Sequence, residues 1–250
     1  MITRAGIKFI RSLADKRVRD AEGLFVAEGE KLIREIAASP LRMHSLYAAE
    51  GALTEMAEAE RVTAADMERL SMLKTPSSCI AAVEKPRHRL VPEELCGRLT
   101  LALDDVQNPG NMGTIIRLAD WFGIGDVVCS PACADCYSPK VVQATMGAIL
   151  RVRVHYTPLP QFLDSMRRAG ESVCGTMLEG GRDIYASPLP AHGVIVMGNE
   201  GRGISPQVAE SLTDRLFIPP YPADRCGSES LNVAVATAVV CAEFRRRACL

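Results

Sequence analysis

The sequence predicts an α/β fold, in which a mostly parallel sheet with helices on both faces follows a small N-terminal α/β domain. Three observations predict it. From Leu99 onward, strand-like runs, glycine-containing turns and helical stretches alternate. Several of the strand-like runs are continuously apolar, as strands covered on both sides are. Residues 84–98, EKPRHRLVPEELCGR, hold two prolines and five basic residues without sustained periodicity, which is linker chemistry. The expected domains are therefore 1–83, a linker over 84–98, and 99–250.

In the first domain, Ile7–Leu13 and Lys31–Ile36 read as helices and Leu24–Ala27 as a strand. In the second, the strands are Leu99–Leu103, Asp126–Cys129, Val152–His155, Glu171–Thr176, Val194–Met197 and Arg215–Ile218. The helices between and after them are Met112–Phe122, Pro139–Ile149, Leu159–Arg168, Ser205–Ser211 and Ser230–Arg247. Ligands of such sheets bind at the carboxyl ends of strands. The turn that follows each strand is thus where chemistry is expected.

Composition sets limits on function. Lys+Arg number 29 and Asp+Glu 30, a formal charge of −1, which excludes a polybasic nucleic-acid coat but not a local basic face. Residues 1–19 carry Arg4, Lys8, Arg11, Lys16, Arg17 and Arg19 against Asp15 alone, a candidate RNA-binding surface. No apolar run reaches the ~18–20 residues of a membrane helix. The N-terminus lacks a signal core, so a soluble, cytoplasmic protein is expected. Nine cysteines, an odd number in a long chain, suit free thiols in a reducing compartment. Cys129, Cys133 and Cys136 have the C-x-x-x-C-x-x-C spacing of radical-SAM iron–sulfur sites. They fall mid-chain, however, and read better as three thiols in a loop after a strand. No metal is expected.

Three strand ends stand out. The first is Asp104 to Gly113, DDVQNPGNMG, where Pro109-Gly110 forces a turn and Asn111 suits a helix cap. Arg117 follows a little under two turns on. The second is Met197 to Pro206, MGNEGRGISP, with three glycines in six residues and Glu200 among them. It is neither the dinucleotide fingerprint nor a P-loop. The third is Ile218-Pro219-Pro220, a polar loop, and then Ser230, which can cap the last helix. Asn232 opens that otherwise apolar helix and needs a partner for its amide.

Taken together, NPGNMGTIIRLADWFGI, VIVMGNEGRGIS and IPP…SLNVAVATAVV resemble the three motifs of the SpoU (TrmH-type) RNA ribose methyltransferases of the SPOUT superfamily, in the same order and spacing. The segment 134–142 with Met146-Gly147-Ala148 is similar to that family's connecting region, and LFVAEGEKLIREI to its small substrate-binding domain. The resemblance implies a C-terminal deep trefoil knot, S-adenosylmethionine as cofactor, and a homodimer formed through the knot helices. It implies methyl transfer to a ribose 2′-hydroxyl of RNA, ribosomal in preference to transfer RNA; the alternative is a non-catalytic RNA-binding or assembly factor. It assigns Asn111, Arg117, Glu200, Ser230 and Asn232 to the catalytic site, with Glu200 orienting Arg117 or a partner-chain group. Cofactor contacts fall on Gly198, Ile218 and Leu231, with Thr176, Met177 and Asn199 beside them. The ten residues between Pro219 and Ser230 make this loop longer than the family's, which leaves the register of Gly227 and Ser228 open.

Overall fold

The computed structural model describes residues 2–178, 180–222 and 230–248. Its elements run α1 (Arg4–Ser12), α2 (Lys16–Glu22), β1 (Leu24–Glu28), α3 (Glu30–Ala37), β2 (Met43–Ala49), β3 (Glu60–Val62), α4 (Ala64–Leu70) and β4 (Cys79–Glu84). Then come β5 (Leu99–Leu103), α5 (Pro109–Trp121), β6 (Asp126–Cys129), α6 (Pro139–Thr145), β7 (Arg153–Tyr156), α7 (Leu159–Arg168) and β8 (Val173–Thr176). The chain ends with β9 (Arg182–Asp183), β10 (Gly193–Met197), α8 (Pro206–Ala209), β11 (Asp214–Phe217) and α9 (Val233–Ala248). These form two compact units, Met1–Arg87 with Asp135–Leu150, and His88–Ala134 with Arg151–Leu250.

The first unit is a four-stranded sheet of order β1-β4-β2-β3, antiparallel except between β2 and β3. Alternation along β1 serves two cores. Phe25 and Ala27 pack with Ile33 and Ile36 of α3, whereas Leu24 and Val26 pack with Ile7 and Ile10 of α1 and Met67 and Leu70 of α4. Residues 135–150, which the sequence reading places in the second domain, belong here instead. Val142 of α6 enters the Phe25 core, and Asp135 pairs with Arg19 at 2.5 Å. Both contacts join residues more than a hundred positions apart, beyond the reach of local periodicity.

The second unit is a seven-stranded sheet of order β7-β6-β5-β10-β8-β11-β9, parallel at every pairing. On one face Ala102, Val128, Val173, Val194 and Val196 meet Phe162, Leu163 and Met166 of α7 and Val208 of α8. Elsewhere α5 packs beside β6 and against α9. Those two helices run side by side in the same direction, for Asn232 meets Asn111 near their starts and Arg245 meets Phe122 at the end of α5. Strands β5, β10, β8 and β11 are consecutive neighbours. Their carboxyl ends, and the turns that follow, therefore come together along one edge.

Candidate active site

The turn after β5 starts α5. Asn108, not Asn111, is its cap: the Asn108 Oδ1 accepts from the N–H groups of Gly110 (2.8 Å) and Asn111 (3.2 Å). Pro109 sits at the first helical position, where its missing N–H costs nothing. The expectation that Asn111 caps the helix is thereby corrected, and its side chain is released for other work. Its Nδ2 donates to Glu200 Oε1 at 2.9 Å, an oxygen that also accepts the Asn108 N–H at 3.2 Å. Glu200 thus orients Asn111 and not Arg117.

The third motif joins the same chain of bonds. Asn232 Nδ2 donates to Asn111 Oδ1 at 3.0 Å, while Asn232 Oδ1 caps α9 by accepting from Ala234 (2.9 Å) and Val235 (3.3 Å). Asn232, not Ser230, is therefore the cap. The polarity of this chain is fixed from both ends. A carboxylate only accepts, so Asn111 must turn its amide nitrogen to Glu200; the helix N–H groups only donate, so Asn232 must turn its oxygen to them. Burial pushes the Glu200 carboxyl up, but donors from Asn111 and the nearby backbone more than offset it and hold the carboxyl below its usual range.

The glycine-rich turn after β10 is braced from β5. Asn199 and Gly203 exchange backbone bonds at 2.9 Å, and Asn199 Oδ1 accepts from the N–H groups of Gly201 (2.9 Å) and Arg202 (3.0 Å). Asn199 Nδ2 donates to the Asp105 carbonyl at 2.7 Å, and Asp104 Oδ2 accepts the Ser205 N–H at 2.7 Å. Asn199, expected at the cofactor, thus spends both ends of its amide holding this turn. Gly198 is required for a related reason: a Cβ there would collide with the backbone of Gly203 and Ile204. Sequence reasoning missed Asn108, Asp104 and Asp105. The signals existed, since Pro109 marks Asn108 as the cap and a pair of acids ends a buried strand.

Arg117 lies on the outer side of α5, six residues and about 9 Å of helix rise beyond Asn111. It is exposed, with no hydrogen bond or ion pair among the described residues. Ser230 is likewise exposed beside Leu231. Thr176-Met177, Gly198 and Ile218 follow the ends of three adjacent strands. The Thr176 hydroxyl already contacts Met197 Sδ at 3.6 Å. Leu178 follows Met177 and Leu231 follows Ser230, large apolar side chains 61% and 52% exposed. The backbone and apolar groups that these segments offer suit a purine and a sulfonium, so the residues fit S-adenosylmethionine. Gly227 and Ser228 lie outside the described residues.

The proposed RNA surface is corrected at one position. Arg4, Lys8 and Arg11 share one face of α1, and Lys16 and Arg17 are exposed on α2. Arg19 is 2% exposed and donates to Asp135 and to the Leu13 and Ala14 carbonyls at 2.7 Å, so it is a buried structural cation. Cys129, Cys133 and Cys136 are buried, and Cys133 Sγ donates to the Leu103 carbonyl at 3.2 Å. Among the described residues no cluster of three His, Cys, Asp or Glu side chains could hold a metal ion, and no helix is long and apolar enough to cross a membrane.

Residues 98–242, which include all three strand-end segments, match the SpoU rRNA Methylase family. The chain belongs to that family. With membership come the enzyme class, RNA methyltransferase, and the cofactor, S-adenosylmethionine. Residues 4–81 match the MRM3-like substrate binding domain. The 23S rRNA (guanosine(2553)-2′-O)-methyltransferase RlmP of Bacillus subtilis is 28% identical over 96% of this chain and 95% of its own length. The 23S rRNA (guanosine-2′-O-)-methyltransferase RlmB of Pseudomonas aeruginosa is 30% identical, over 83% of this chain and 90% of its own. Among solved structures, a TrmH-family protein of Porphyromonas gingivalis superposes with a TM-score of 0.87 at 41% identity, covering 99% of both chains. An AdoMet-bound rRNA methyltransferase of Sinorhizobium meliloti gives 0.84 at 27%, covering 99% of this chain and 96% of its own.

Proposed function

We propose that this SpoU methylase transfers the methyl group of S-adenosylmethionine to the 2′-hydroxyl of a ribose in structured RNA, ribosomal RNA in preference to transfer RNA. The observation that carries the reading is the Glu200–Asn111–Asn232 chain, which ties the three motifs to one point beside the carboxyl ends of the sheet. The cofactor supplies an activated methyl on a sulfonium. The protein has to place a weakly acidic hydroxyl in line with it and let the proton go. With one N–H of each Asn amide committed to the chain, the other N–H of Asn111 and of Asn232 remains for the sugar, together with the Ser230 hydroxyl. Arg117 stays protonated and is therefore no base. It holds the RNA phosphate and stabilises charge developing on the 2′-oxygen. The proton leaves through RNA phosphate or water.

The ribosomal preference is supported by the rRNA named for RlmP and RlmB and by the substrate-binding domain over residues 4–81. On that domain Arg4, Lys8, Arg11, Lys16 and Arg17 form the RNA-facing surface. The chain works as a homodimer with a knotted C-terminal segment. In support, α9 presents Val235, 52% exposed, with Val239 and Ala242 at helical spacing from it, and α5 exposes Trp121, 83%. The Arg117→Ala variant tests the reading. It should lose at least about a hundredfold in methyl transfer, on the scale of a lost electrostatic group, while still binding S-adenosylmethionine. Transfer at the parent rate overturns the assignment. A parent protein that binds RNA but no cofactor favours an assembly factor.

A further inference from the structure

We propose that Asp105 is a positioning residue, whose left-handed backbone, rather than its charge, sets Glu200 against Asn111; the consequence for methyl transfer rests on the reaction proposed above. Asp105 has φ +58, a conformation that side chains other than Asn, Asp and Gly rarely adopt. It directly follows the buried Asp104 at the end of β5. A closed pair of bonds holds it there. Its N–H donates to Ser130 Oγ at 2.9 Å, and that hydroxyl donates back to Asp105 Oδ1 at 2.7 Å.

The twist turns the Asp105 carbonyl toward Asn199, whose Nδ2 donates to it at 2.7 Å. Asn199 Oδ1 in turn accepts the N–H groups of Gly201 and Arg202. Glu200 sits between Asn199 and Gly201, so its backbone is clamped on both sides. From that clamp its Oε1 meets the Asn108 N–H and Asn111 Nδ2. The line runs from one backbone angle to a carboxylate 95 residues later without passing through the Asp105 charge. Beyond the Ser130 hydroxyl, the carboxylate has one ion pair among the described residues, Arg202 Nη2 to Asp105 Oδ2 at 3.3 Å, which is largely exposed and screened.

Asp105→Gly, Asp105→Asn, Asp105→Ala and Asp105→Val separate angle from charge, because all four lack the carboxylate and differ in their tolerance of positive φ. Two readouts apply, amide hydrogen exchange at Asn108, Gly201 and Arg202, and kcat on RNA. The expected order is Gly and Asn near the parent, then Ala, then Val. Val should lose at least tenfold in protection at those amides and about thirtyfold in kcat, and Gly should recover both to within threefold. Because the effect passes through Glu200, Asp105→Val in a Glu200→Ala background should cost no more than about threefold further. Asp105→Gly as damaged as Asp105→Val overturns the proposal, and so does parent-like protection in Asp105→Ala and Asp105→Val. If the parent methylates no RNA but the exchange order holds, the positioning stands and the reaction assignment falls.

Discussion

Changing Asn232 to Asp tests the hydrogen-bonded chain while keeping the helix cap. Asn and Asp are comparable helix caps, and a negative charge suits a helix N-terminus. The two bonds to Ala234 and Val235 therefore survive. The bond to Asn111 does not, because the new carboxylate sets an acceptor 3.0 Å from the Asn111 Oδ1. Asn111 cannot escape by turning over, since its oxygen would then face Glu200. One lost bond of about 1 kcal/mol plus acceptor–acceptor repulsion gives about 2–3 kcal/mol. At 1.4 kcal/mol per tenfold, kcat falls roughly 30- to 100-fold. Asn232→Ala loses the cap as well, about 1 kcal/mol, which lowers Tm by about 2–4 °C in a chain of this size. The assay is single-turnover transfer of labelled methyl to RNA, with a thermal melt of each variant. Parent-rate transfer by Asn232→Asp would refute the reasoning.

Three further outcomes are expected. Gly198→Ala drives its methyl into the backbone of Gly203 and Ile204 and should cost about 3 kcal/mol or more in urea unfolding, on the scale of strong core overpacking. Arg19→Ala removes the buried cation from the half-buried Asp135 and from the Leu13 and Ala14 carbonyls and should cost about 3 kcal/mol; Arg17→Ala, at an exposed position, should stay within about 0.5 kcal/mol yet weaken RNA binding in a gel-shift titration. Asp126 is buried, which raises its pKa, but the bond from His155 at 2.9 Å and those from Arg153 bring it down to about 2. A depressed carboxyl stabilises the fold above its unfolded value of 3.8 and loses that contribution as the pH falls toward 2. About 2 kcal/mol should therefore vanish across that window, and less so in Asp126→Asn.

Much of the second unit was legible because its strands are apolar on both faces. Leu99–Leu103 and Asp126–Cys129 sit where their sequences place them. The first unit was harder. β2 mixes Met43, His44 and Ser45 with Leu46 and shows no clean alternation in its residue types, although in the fold Leu46 and Ala48 are buried and their neighbours are not. The fate of Arg19 depends on Asp135, and the allegiance of α6 on the packing of Val142, both set by long-range folding. At the site, the motifs brought Asn111, Glu200 and Asn232 into view, but not which oxygen meets which nitrogen. That follows from two local facts, Pro109 moving the cap back to Asn108 and Asn232 taking the cap of α9. The role of Asp105 depends on a single dihedral angle that its residue type permits but does not announce.

The central claim is that this chain methylates a sugar oxygen. Purified protein, ribosomal RNA and labelled S-adenosylmethionine, followed by alkaline hydrolysis, test it most directly. A 2′-O-methyl group blocks cleavage at its own nucleotide, so the account predicts label confined to one alkali-resistant dinucleotide. Label released with mononucleotides, which means methylation of a base, would contradict it, as would RNA that takes up no label at all.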